Sequence, residues 1–103
     1  MASNEAMVRN TKMKEGDITK EILKYLAERG HFAFKHHSGM MGRRGVSDIV
    51  GAKYPEGTAF FLEVKVGDGQ ASDEQRDFLF EAASAGSITG IVFGIDDVRK
   101  LGL

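Results

Sequence analysis

Asp48, Glu63 and Lys65 are of types that can carry out hydrolytic chemistry, and their spacing allows them to meet. Between the aspartate and the glutamate lie two runs of β-forming residues around a turn, Tyr54-Pro-Glu-Gly57. If that turn is a four-residue hairpin loop, Lys53 pairs with Thr58, and the same register sets Asp48 directly opposite Glu63. Cross-strand neighbours on one face have Cβ atoms about 4.5–5.5 Å apart, where like charges repel. Strand alternation puts Lys65 on the face of Glu63 and turns Leu62, Val64 and Val66 to the other. Two carboxylates so placed ask for a cation, and all-oxygen coordination suits Mg²⁺ or Mn²⁺. Such an ion acidifies a water and screens the charge that builds up when a phosphodiester is attacked. The Lys65 ammonium would orient that water or stabilise the developing negative charge. A one-residue slip in register would scatter all three. Taken alone, the Asp…Glu-x-Lys pattern fits an ordinary Glu/Lys ladder on a surface hairpin at least as well.

Three further features bear on the choice. Glu21 follows Ile18 by three residues and precedes Tyr25 by four, so it borders the apolar stripe of a helix. From there a carboxylate can reach across the sheet edge toward the paired acids; the alternative is a solvated flank position. Gln75 is followed by Phe78, Leu79 and Ala82 at helical spacing, which puts it on an inward face. It also completes a capping box, Ser72-Asp-Glu-Gln75, and the two roles do not exclude each other. Residues 38–47 (SGMMGRRGVS) hold three glycines and the pair Arg43-Arg44 immediately before Asp48, with Lys35, His36 and His37 just upstream. Glycine permits close backbone approach and arginine suits phosphate, so this reads as a DNA-gripping loop or, failing that, as a flexible polar loop.

The elements that must position these residues follow from periodicity. Residues 17–29 predict a helix with Asp17 as N-cap, a stripe of Ile18, Ile22, Leu23, Tyr25 and Leu26, and Gly30 as the stop. Strands are expected over 31–37, 48–53, 58–66 and 88–95, a second helix over 72–85, and a short last helix over 96–101. The order is α-β-β-β-α-β, an α/β domain with a small mixed sheet flanked by helices. Phe60, Phe61, Phe78 and Phe80 are expected in its core. Residues 1–16 lack periodicity and read as a mobile, partly basic arm, with Met7 and Met13 as alternative starts.

Glu21 on a first helix, Gly45-Val-Ser-Asp48, Glu63-Val-Lys65 and Gln75 opening the next helix resemble the virus-type replication-repair nuclease (VRR-NUC) family. That family belongs to the PD-(D/E)XK superfamily, whose restriction-endonuclease-like core has the same αβββαβ order. The resemblance covers residues 17–95 and implies a metal-dependent DNA endonuclease acting on branched DNA such as Holliday junctions. It implies Asp48, Glu63 and the Val64 carbonyl as metal ligands, Lys65 as the catalytic lysine, Glu21 as the helical acid and Gln75 as an added polar residue. It also implies a homodimer, by analogy alone. Ser47 stands where the superfamily name has proline, which affects backbone geometry more than chemistry.

Composition sets outer bounds. The 103 residues suffice for one domain. With 0 Cys there is no disulfide framework and no thiolate metal site, which fits a cytoplasmic protein. No run is apolar enough for a membrane span. The net charge of -1 hides a polarity: residues 9–53 carry ten Lys/Arg against five Asp/Glu, and residues 54–103 carry four against nine. A molecule so divided can hold phosphates on one side, with Lys35, His36, His37, Arg43 and Arg44 as the expected DNA contacts. Chance segregation of solvated charges would look the same in composition.

Overall fold

The apolar stripe of the first helix decides which side of the molecule is dry. In the computed structural model, which describes residues 13–37 and 42–103, helix α1 spans Glu15–Glu28. Its Ile22 and Leu26 are fully buried, with Ile18, Leu23 and Tyr25 packed beside them. The helix starts earlier than its expected cap. Asp17 lies within the first turn, and its carboxylate accepts the Lys14 backbone N–H at 3.3 Å. Asp17 thus serves the helix start from inside, where its charge also suits the positive end of the dipole. The expected arm thereby gives Glu15 and Gly16 to the helix, and its residues 1–12 lie outside the described part. Gly30, with φ of +88°, ends the helix as its position foretold.

Strands β1 (Phe32–Lys35), β2 (Ile49–Ala52), β3 (Ala59–Val64) and β4 (Ile88–Val92) form one sheet in that order. The first three pair antiparallel, whereas β4 runs parallel to β3. A parallel neighbour needs a crossover, and helix α2 (Asp73–Ser84) provides it. The short α3 (Ile95–Lys100) follows. The result is a small α/β domain with a four-stranded mixed sheet and three flanking helices. The last strand is shorter than expected. Asp97 accepts the Phe93 N–H at 2.8 Å, turning the chain out of the sheet so that Ile95 opens α3.

The β2–β3 register pairs Ile49 with Leu62 and Val50 with Phe61, as the four-residue turn requires. One sheet face then carries Ile49, Phe60, Leu62, Val64 and Val92 against α1, Val98 of α3 and Leu103. Gly51 lies between Ala33 and Phe60 in this layer, where a Cβ would run into the Phe32 carbonyl and the Phe60 ring. Helix α2 covers part of the opposite face, with Phe78 edge-on to Phe61 at 5.3 Å between centroids. Of the four phenylalanines expected in the core, Phe60 is fully buried and Phe61 and Phe78 are half-buried. Phe80 is 73% exposed, because the inward stripe of α2 runs through Gln75, Phe78, Leu79 and Ala82. Among the described residues no helix is long and apolar enough to cross a membrane.

Replacing Gly51 with alanine should lower stability by about 1–3 kcal/mol, the range for overpacking a tight layer. A urea titration should show a lower midpoint with an unchanged slope.

Candidate hydrolytic site

The two registers assemble a transverse row across the second sheet face. The β1–β2 pairing continues to His36, whose backbone N–H donates to the Asp48 carbonyl at 2.8 Å. The β2–β3 register sets Asp48 opposite Glu63, and Glu63 pairs with Ile91 of β4. Asp48 sits just ahead of β2 and bonds with its side chain: Oδ2 accepts the Val64 N–H at 2.8 Å. The Lys65 N–H goes the other way, to the Val92 carbonyl of β4 at 3.0 Å. A strand residue turns its N–H and C=O to the same side, so the Val64 carbonyl also opens toward Asp48.

Glu63 is the centre of the cluster, with 1% of its surface exposed. Its Oε2 accepts from Gln75 Nε2 at 2.9 Å and pairs with Lys65 Nζ at 3.4 Å. Its Oε1 is buried without a hydrogen-bond donor among the described residues. Gln75 performs both expected roles. Its Oε1 accepts the Ser72 N–H at 2.8 Å and its own N–H donates to Ser72 Oγ at 3.1 Å, while Nε2 reaches Glu63. The capping box thus fixes the rotamer that delivers the amide to the carboxylate. Burial pushes the Glu63 carboxyl up to about 8, and the Asp48 charge adds to the rise, against a smaller opposing pull from Lys65. The one ammonium, that of Lys65, pairs with Glu63, and among the described residues one buried Glu63 oxygen lacks a donor. That is a donor set a small divalent cation would complete, through one or two carboxylates, a carbonyl and waters.

Beside the pair lies a cavity of about 680 Å³, lined among others by His36, Arg43, Arg44, Asp48, Ser72 and Gln75. Its outer wall is the loop before β2, of which residues 38–41 lie outside the described part. Gly45, with φ of +78°, lets this loop lie directly on the backbone at the start of α2; a Cβ there would collide with the Glu74 carbonyl. Ser47 is buried, and its hydroxyl donates to the Ile49 carbonyl at 3.1 Å. A side-chain bond therefore holds the turn where the superfamily pattern has proline.

The expected phosphate contacts divide. Arg44 is exposed at the cavity and makes no ion pair among the described residues. Arg43 is committed to α2, bonded to Glu81 with its guanidinium 5.2 Å from the Phe78 ring centre. It anchors the loop more than it offers a free cation. Lys35 pairs with Ile49 and so lies on the α1 side of the sheet, and His37 follows it at the next like position. Only His36 of that trio shares the carboxylate face, and its Nε2 is buried without a partner among the described residues.

Glu21 is exposed on α1, beside a second cavity of about 810 Å³ that Ile18, Val66, Phe93 and Asp97 help to line. It is not among the charges that shift Glu63, and no group of three or more His, Asp or Glu side chains that could hold a metal exists among the described residues. The expected reach of Glu21 toward the acid pair is therefore not seen. The reason is that α1 packs on the Leu62 face and the acids occupy the other. No family model, functionally described protein or solved structure matches this chain.

Sequence reasoning overlooked Gly45 as the contact with α2 and the tie of Arg43 to Glu81. The former had a signal in the loop's glycines, whereas the latter joins elements 38 residues apart and had none.

The raised Glu63 carboxyl has a signed consequence. Folding favours its neutral form, so this contribution to stability is complete below the ordinary value of 4.5 and is lost as pH rises through about 8. In EDTA the melting temperature should therefore fall between about pH 5 and 8. Glu63→Gln should flatten that fall, and millimolar Mg²⁺ or Mn²⁺ should do the same for the unaltered chain.

Proposed function

We propose that this protein is a divalent-cation-dependent DNA endonuclease, akin to the VRR-NUC nucleases, that hydrolyses phosphodiester bonds in branched DNA. The observation that carries the reading is the buried Glu63 carboxyl set opposite the half-buried Asp48, with Lys65 Nζ 3.4 Å from Glu63 and Gln75 bonded to the same oxygen. Asp48, Glu63 and the Val64 carbonyl would hold Mg²⁺ or Mn²⁺. When bound, the ion supplies Lewis-acid polarisation of the phosphodiester and a more acidic water.

The chain's own residues do the rest. Lys65 places a fixed positive charge beside the developing phosphorane charge, in a site where little reorganisation is needed. Gln75 holds the Glu63 carboxylate in one orientation. Arg44, across the cavity, grips a phosphate of the bound strand, and His36 closes the near wall. Branched DNA and a homodimeric assembly follow from the resemblance alone and belong to the same proposal. A catalytically inert DNA-binding module is less well supported. Burying the Glu63 carboxyl beside the Asp48 charge costs stability, and a module that only binds has no use for that arrangement.

The test is cleavage of synthetic four-way junctions, flaps, nicked and linear duplexes, and RNA, in Mg²⁺, in Mn²⁺ and in EDTA. Junctions should be cut with either metal and spared in EDTA. Asp48→Asn keeps an oxygen for the Val64 N–H and should retain the fold, yet lose activity by about 100-fold or more, as should Lys65→Ala. Cutting at the unaltered rate by a folded Asp48→Asn protein would overturn the assignment; preference for flaps or linear duplex would move the substrate to another branch of the superfamily.

A further inference from the structure

The opposite end of β1 from His36 holds a group that the proposed hydrolysis does not use. His31 stands just before β1, and its half-buried ring contacts a main-chain atom at each nitrogen. Nδ1 lies 2.9 Å from the backbone nitrogen of Tyr54, the first residue of the β2–β3 turn. Nε2 lies 3.4 Å from the main-chain oxygen of Leu103, whose side chain is buried in the core. The ring stands edge-on to Phe60, with centroids 6.0 Å apart.

These partners fix the proton on the ring. A backbone N–H only donates, so Nδ1 presents its lone pair to Tyr54 and carries no hydrogen. The neutral ring then holds its one hydrogen on Nε2, where the Leu103 oxygen accepts it. A second proton has one place to go, and there it meets the Tyr54 N–H donor to donor. The charges nearby come from three elements. Arg29, at the end of α1, donates Nε to the same Leu103 oxygen at 2.6 Å, and the Tyr25 hydroxyl lies 3.4 Å from it. Arg29 and Arg99 of α3 each lie over the Tyr25 ring. In the turn, Lys53 pairs with Glu56 at 3.4 Å. The exposed Glu56 carboxyl is held below its ordinary value, chiefly by a backbone hydrogen bond, so it stays ionised while imidazoles titrate.

We infer that His31 is a proton-operated latch: its neutral ring ties the hairpin turn at Tyr54 to Leu103, and uptake of a proton releases the turn. The sense is opposite to that of Glu63. The tie is complete while the ring is neutral and is lost on acidification, whereas the Glu63 contribution is complete at low pH. The latch acts on the same hairpin that carries the acid pair, but from its turn end, and it stands whether or not the chain is a nuclease.

The experiment is NMR of the full chain at about pH 8 and about pH 5, on either side of the range in which imidazoles take up a proton. At the higher pH the ring nitrogens of His31 should show Nδ1 bare and Nε2 protonated. Exchange of the Tyr54 amide is followed at both, as protection relative to the unstructured chain, which removes the intrinsic effect of pH on exchange. In the unaltered chain protection should fall about tenfold or more at the lower pH. His31→Asn keeps an acceptor oxygen near the Nδ1 position and does not titrate, so its Tyr54 protection should be level across the two. His31→Ala should leave Tyr54 unprotected at both. A hydrogen on Nδ1 at the higher pH would overturn the latch, as would a protonated ring with Tyr54 still protected at the lower. An equal fall in His31→Asn would do the same, since the effect would then belong to another group such as Glu63. Should the alanine variant fail to fold, the tautomer and the asparagine variant decide the matter.

Discussion

The burial of the Glu63 carboxylate against that of Asp48 is the constraint around which the rest of the structure is arranged. An acid group held out of water beside a carboxylate is costly to ionise, and the molecule offsets that cost only in part. Lys65 contributes one cation for two acids, the Val64 N–H takes one Asp48 oxygen and the Gln75 amide takes one Glu63 oxygen. Among the described residues, one oxygen of Glu63 remains buried and unpaired. The imbalance is held in place by well-packed surroundings: a hairpin register that cannot slip without exposing Phe60 and Leu62, and a helix start that locks Gln75 through its own capping bonds.

The sheet makes this possible by separating tasks between its faces. Period-2 alternation sends Ile49, Phe60, Leu62 and Val64 into a dry layer under α1 and α3, so the same strands can present Asp48, Glu63 and Lys65 on the other side. Helix α2 then covers the far half of that second face through Phe78 and Leu79, and no other described helix covers the near half. The loop before β2 closes on the start of α2 through Gly45 and through Arg43, which bonds Glu81 and lies over Phe78. Asp48 thus lines a cavity that Arg44 and His36 share with Glu74. In the proposed nuclease, Arg44 meets a phosphate at that cavity on its way to Asp48.

Much of this could be read from residues close in the chain. The turn Tyr54–Gly57 defined the β2–β3 register because a short loop leaves only one pairing open, and the register carried Asp48 to Glu63. The Ser72–Gln75 capping box located α2 and the direction of Gln75, and the stripe of α1 named its buried residues. Boundaries moved where a side chain intervened: Asp17 proved to be inside its helix, and Asp97 ended β4 early.

What the chain determined by itself was therefore the side of its own element on which each residue stands, since helical and strand periods are local and short turns transmit register. Only the tertiary structure decided which sheet face each helix would cover. That choice sent Glu21 away from the acids, left Phe80 in solvent and set Lys35 on the α1 side of the sheet, apart from His36. It also brought Arg43 to Glu81 and aligned His36 with Asp48 across a connection too long for turn chemistry to specify. The physical reason is that packing a helix on a sheet is settled by the summed burial of many distant side chains, and no short stretch of sequence contains that sum.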